Sequence, residues 1–101
     1  MIIEYVRYKI PADTKQAFVD SYTKAGEMLR SSEHCLGYEL SNGNEEPENY
    51  ILRIEWDSLE GHNNDFRQSA AFKTFFQQVA PYFNSIQEMK HYDLTEVFWR
   101  K

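Results

Sequence analysis

Cysteine is nearly absent: Cys35 is the single thiol in 101 residues, so no internal disulfide can form and a reducing cytoplasm is the expected setting. Long apolar runs are missing too, none nearing the roughly 18 residues that cross a bilayer. Met1 leads straight into IIEYVRYKI, without the basic leader or cleavage site of a signal peptide, so no membrane contact is expected. Basic residues are few, 11 against 16 acidic ones for a net charge of -5. They are scattered instead of clustered, which argues against nucleic acid as a partner. With four glycines there is no Gly-rich loop to cradle a phosphate. Metal-ligand spacing is equally lacking: His34-Cys35 is too little for zinc, and His91 has no Asp, Glu or Cys at a suitable interval. Neither a metal nor a cofactor is expected, and Cys35, with no base beside it, reads as a structural thiol.

What the chain does have is apolar and aromatic bulk, 42% and 16% of its residues, enough for one domain spanning residues 1-101 with one core. Ile2 to Ile10 is β-branched and aromatic and stops at Pro11, the pattern of a first strand. Asp13-Thr14-Lys15-Gln16 resembles a capping box, with Asp13 expected to accept from the first-turn amides. Phe18, Tyr22, Ala25 and Leu29 then recur on one helical stripe. In HCLGYELSNG, Leu36, Tyr38 and Leu40 alternate against Cys35, Gly37 and Glu39, a strand with two unlike faces. Asn42-Gly43 tolerates positive φ and turns the chain toward a third strand, Tyr50 to Trp56. Asp57-Ser58-Leu59-Glu60 repeats the capping signature, and a helical region follows with a break near Gln68-Ser69 and an end or bend at Pro81. Its stripe is Phe72, Phe76, Val79 and Phe83, and MKHYDLTEVFW reads as a fourth strand running almost to the C-terminus.

These spacings predict strands near 2-10, 34-42, 49-57 and 87-97 and helices near 13-31 and 58-83. The order βαββαβ is the ferredoxin-like α+β arrangement, a four-stranded antiparallel sheet with both helices on one face. Apolar residues occupy both alternation sets of the strands, Ile3 and Tyr5 against Ile2 and Val6, and Ile51 against Leu52 and Ile54. A homodimer joined sheet to sheet is the expected cover for the second face. Arg53 and Glu55 share that face and are expected to pair across the dimer interface.

The segment from Trp56-Asp57-Ser58 through Phe66-Arg67-Gln68-Ser69-Ala70-Ala71-Phe72 resembles the antibiotic biosynthesis monooxygenase family, and with the element order the likeness covers nearly the whole chain. It implies a dimeric α+β barrel. Members include quinol monooxygenases that need no cofactor, haem-degrading enzymes and proteins of no known activity. Many carry a His ten residues after the strand-end Trp, where this chain has Phe66, and another before the Phe of S-x-x-F, where it has Ala71. The haem-degrading branch needs a Trp at 66, a His at 76 and an Asn on the first strand, against Phe66, Phe76 and Tyr5 or Arg7 here. Haem degradation is therefore not expected.

The resemblance implies oxygenation of a small aromatic, quinol or polyketide-like molecule by molecular oxygen, without metal or flavin. His62 is the candidate general base, one turn before Phe66. Trp56, Phe66, Phe72 and Phe76 are the candidate walls, and Tyr5 or Arg7 the polar groups that orient substrate. The alternative is a non-catalytic dimeric barrel that binds a small ligand or serves as an interaction module, with His62 in solvent and the aromatics only core.

Overall fold

Residue parity in the first strand decides which face of the sheet the helices cover. In β1 (Ile2–Lys9), Glu4, Val6 and Tyr8 point inward and are buried, while Tyr5, Arg7 and Lys9 point outward. The computed structural model describes residues 1–101. It continues with α1 (Lys15–Arg30), β2 (Cys35–Asn42), β3 (Asn49–Trp56), α2 (Ala70–Val79) and β4 (Ile86–Asp93). The four strands form one antiparallel sheet in the order β2-β3-β1-β4, the ferredoxin-like arrangement. A π-helical turn, Gly61–Phe66, precedes α2, and a 3-10 turn, Ala80–Ser85, follows it at Pro81.

The α1 stripe is the centre of the core: Phe18, Tyr22, Ala25 and Leu29 are all buried. Phe18 meets Tyr8, Tyr50 and Tyr82 edge-on at centroid separations of 4.9, 5.1 and 5.0 Å. The α2 stripe behaves differently. Val79 is buried, but Phe76 and Phe83 are 41% and 40% exposed, because α2 is only 10 residues long and does not reach across to edge strand β4.

Several local expectations are corrected. Asp13 caps nothing: residues Ala12–Thr14 form a 3-10 turn, and no side chain caps α1. At the second capping signature the acceptor is Ser58, whose Oγ takes the Gly61 N–H at 2.9 Å. Gly43 has ordinary negative φ. It is needed for space, since a Cβ there would run into the Glu46 carbonyl. A bulge between Cys35 and Gly37 pushes Leu36 out to 55% exposure and turns the Cys35 side chain against the core instead. β4 ends at Asp93, and Val97, Phe98 and Trp99 beyond it are exposed. Arg53 and Glu55, expected to meet a second copy, also pair with each other within the chain at 2.7 Å, and Arg100 joins Glu55 at 3.0 Å.

Two devices hold the turn between β3 and α2. Ser69 accepts the Phe72 N–H at 3.1 Å as the α2 N-cap and donates to the Phe66 carbonyl at 2.6 Å. His34, just before β2, holds Asp57 with Nδ1 at 3.0 Å and Asp65 with Nε2 at 2.8 Å. Gly61 makes room for it, since a Cβ there would sit 2.6 Å from the imidazole Cγ.

Replacing Ser69 by Ala should cost about 1 kcal/mol, read as a Tm lowered by about 4–8 °C, with most of the loss restored by Ser69→Thr. The His34 latch should depend on pH. The hydrogen bond to Asp57 raises the His34 pKa above its ordinary 6.5, so its contribution is complete below 6.5 and is lost as pH rises through the folded-state value. The same bond lowers Asp57 below 3.8, so the partner contribution is lost only in stronger acid. Amide exchange in Gly61–Phe66, corrected for intrinsic rates, should be faster at pH 9 than at pH 6, and fast at both in His34→Ala. Equal protection at both pH values in the wild type would refute the latch.

Candidate functional site

The unequal reach of the two helices leaves a cavity of about 120 Å3 between sheet and helices. Trp56, fully buried at the end of β3, and Phe66, at the end of the π-helical turn, form its floor with ring centroids 5.3 Å apart. Phe72 and Phe75 of α2 close the wall, each meeting Phe66 edge-on at 5.7 and 5.8 Å. Phe76, Phe83, Met89 and His91 line the cavity and are also exposed, so the mouth lies between α2 and β4.

One end of this apolar space is polar. Glu4 projects into it from β1, 6% exposed, and its Oε1 accepts the Trp56 indole N–H at 3.1 Å. His62 stands on the π-helical turn, 5% exposed, with its ring 4.6 Å from Trp56 and Nε2 3.6 Å from Glu4 Oε1. His91 lies opposite Glu4 in the β1–β4 register, with Nε2 3.8 Å from Glu4 Oε2 and its ring 4.9 Å from that of His62. Both imidazole-to-carboxylate separations exceed hydrogen-bond length, and His62 Nδ1 is buried with no partner.

Burial decides the charge states. It pulls the His62 pKa down to about 4, with the His91 and Arg67 charges adding to the effect, so the ring is neutral near pH 7. Burial pushes Glu4 up, opposed by the Trp56 hydrogen bond and by His91 and Arg67. The neutral imidazole has a lone pair free to take a proton, burial makes it a weaker base than a free one, and Glu4 lies beside it. A second polar feature lies further along β1, where the Tyr8 and Tyr22 hydroxyls, both on the cavity lining, bond to each other.

Of the residues expected from sequence, the structure brings together His62, Trp56, Phe66, Phe72 and Phe76 around this cavity. Tyr5 and Arg7 are not there. They have the outward parity of β1 and line a shallow depression on the opposite face with Ile51, Glu88 and Tyr92; the sheet itself separates them from the cavity. The inward polar residue of that strand is Glu4, which shares the parity of Val6 and Tyr8. A carboxylate on an otherwise apolar stripe is a visible sequence signal. His91 had no such signal, because only the β1–β4 register places it against Glu4.

The antibiotic biosynthesis monooxygenase family profile matches residues 1–78. The uncharacterized protein YczJ of Bacillus subtilis (strain 168) is 24% identical over 92 residues, covering 91% of this chain and 97% of that protein. A Bordetella bronchiseptica protein assigned provisionally by its name to the antibiotic biosynthesis monooxygenases has a crystal structure that superposes with a TM-score of 0.76. It is 24% identical and is covered over 96% of its length by 93% of this chain. A conserved protein from Methanosarcina mazei Go1 superposes with a TM-score of 0.74 at 19% identity, over 90% of this chain and 89% of that one. With more than three quarters of its length inside the family profile and the same fold as these structures, the chain belongs to the antibiotic biosynthesis monooxygenase family.

Proposed function

We propose that this protein is a monooxygenase for a small hydroxylated aromatic molecule of the quinol type, with His62 as the proton acceptor. The carrying observation is the burial of a neutral, unpaired imidazole beside a carboxylate at the end of an aromatic cavity. A space of about 120 Å3 that opens between α2 and β4 is smaller than the roughly 150 Å3 cavity that encloses benzene, so it suits one ring reaching out through the mouth over the extended polycycle of a polyketide. Tyr8 and Tyr22 offer hydroxyls for a second oxygen on the substrate.

Taking the first proton leaves an electron-rich phenolate that donates to molecular oxygen. One oxygen atom enters the ring, the other leaves as water, and the quinol becomes a hydroxyquinone. The substrate supplies both electrons, so neither a flavin nor an external reductant is called for. The residues contribute orientation, proton removal and exclusion of water. Assembly enters through the other face of the sheet, where Tyr5, Ile51, Tyr92 and Leu36 are exposed. A second copy covering that face leaves the cavity of each chain free.

Aerobic turnover of a panel of quinols, followed by incorporation of labelled oxygen, tests the activity. His62→Ala should lower turnover by roughly 100-fold or more, since general-base catalysis contributes about 10²–10⁴. Quinol binding without oxygen uptake would replace the reading with that of a ligand-binding barrel. Light scattering at micromolar concentration should return twice the chain mass of 12.1 kDa, consistent with an interface of about 2,000 Å2 or more. Ile51→Arg should shift it toward the monomer, and a monomeric wild type would refute sheet-to-sheet pairing.

A further inference from the structure

We infer that Glu4, His62 and His91 form a binding site for one divalent transition-metal ion of the zinc class. Three elements supply the ligands: β1 the carboxylate, the π-helical turn one imidazole and β4 the other. No pair of their ligand atoms is more than 4.8 Å apart.

The spacing argues for an ion between them. Zinc binds nitrogen and oxygen ligands at about 2.1 Å, which makes the edge of a tetrahedral site about 3.4 Å. His62 Nε2 lies 3.6 Å from Glu4 Oε1 and His91 Nε2 3.8 Å from Glu4 Oε2, one imidazole to each carboxylate oxygen. Both are too long for hydrogen bonds and within a few tenths of an ångström of that edge, and the whole set, spread over up to 4.8 Å, closes on an ion by a small inward shift. His62 Nε2, the nitrogen facing Glu4, makes no hydrogen bond, and Nδ1 on the other edge of the same buried ring has no partner either. Buried polar atoms without partners are rare, and nothing else in the chain claims this imidazole. The Trp56 indole N–H fixes the Glu4 carboxylate from behind at 3.1 Å, the kind of supporting bond that orients a metal-bound carboxylate.

Ligand chemistry selects the metal. Two imidazoles and one carboxylate suit zinc, cobalt, nickel or ferrous iron, and are poor for magnesium and calcium, which want oxygen ligands throughout. Three protein ligands leave at least one coordination position, as in open metal sites, and His91 lies at the mouth where an ion enters. The inference uses the same cluster as the proposed proton transfer. A bound ion occupies a His62 nitrogen, so metal and substrate proton compete for that residue, and zinc should inhibit quinol turnover.

The test is direct binding, which stands whether or not the quinol reading survives. Chelator-treated protein is titrated with Zn2+ against a chromophoric competitor, and with Co2+ by visible absorption. One ion per chain is expected with a dissociation constant below about 10 µM, with four- or five-coordinate cobalt bands and no competition from excess Mg2+. His91→Ala, on the exposed edge strand, and Glu4→Gln, which preserves shape and can still accept from Trp56, should each weaken binding tenfold or more. Glu33→Gln, an exposed carboxylate beside His34, should leave it unchanged. Absence of zinc binding at 100 µM would overturn the inference. So would binding that persists in both His91→Ala and Glu4→Gln, or that disappears in Glu33→Gln, which would place the ion at the surface carboxylates around His34.

Discussion

Burying the Glu4 carboxylate under the helices carries a desolvation penalty of several kcal/mol unless nearby groups offset it, and the architecture of the cavity follows from how they do. β-strand parity puts Glu4 on the same face as Val6 and Tyr8. Antiparallel register places Trp56 two residues away across β3, where Glu4 pairs with Ile54, and His91 directly opposite on β4. The indole supplies a hydrogen bond and the His91 imidazole supplies positive charge when protonated. His62 is brought in from a separate segment. None of these groups is adjacent to Glu4 in sequence, so the site exists only once both neighbouring strands are paired with β1.

The helix layer explains why the carboxylate opens onto a space instead of a filled core. α1 lays 16 residues across the sheet and buries a complete stripe. The second helical region covers less, because Gly61–Phe66 is a π-helical turn and α2 begins only at Ala70. In that turn the Arg67 N–H reaches back to the His62 carbonyl at 3.2 Å, an i to i+5 closure wider than that of an α-helix. His62 and Phe66, four residues apart, both stand over Trp56 as a result. The short α2 then leaves Phe76, Phe83 and Met89 as a half-open apolar rim. The His34 latch and the Ser69 cap hold the turn at its two ends, so the position of His62 depends on contacts well outside the cavity.

Much of this was legible in the sequence where periodicity is local. The element order, the α1 stripe, the Ser69 break and the bend at Pro81 all follow from spacings within a few residues. The corrections come where residue type, a local turn or a non-local contact overrides that periodicity. Asp13 looked like a cap but stands inside a 3-10 turn. The bulge at Leu36 inverted the faces read for the start of β2, because a bulge is a property of the strand pair. Residue type alone marks Tyr5 and Arg7 as polar substrate contacts, whereas the parity of β1 assigns them to the other face. Glu4 was readable by that same parity; His91 was not, since it depends on the register of strands that are almost ninety residues apart.

The two faces of the sheet therefore divide the labour of the chain. The outer face carries matched charges: Arg53 pairs with Glu55, Arg100 joins them, and Arg7 lies 4.0 Å from Glu88. These pairs are solvent-exposed or half-buried, the kind worth little to stability, and they flank exposed Ile51 and Tyr92, so this face suits contact with another surface. The inner face carries a carboxylate and two imidazoles whose ligand atoms converge without hydrogen bonds among them. Such a group is costly to maintain in a low-dielectric interior unless it is protonated, hydrated or metal-bound. The proposed proton acceptance and the inferred metal ion would each answer that demand, and both call on His62.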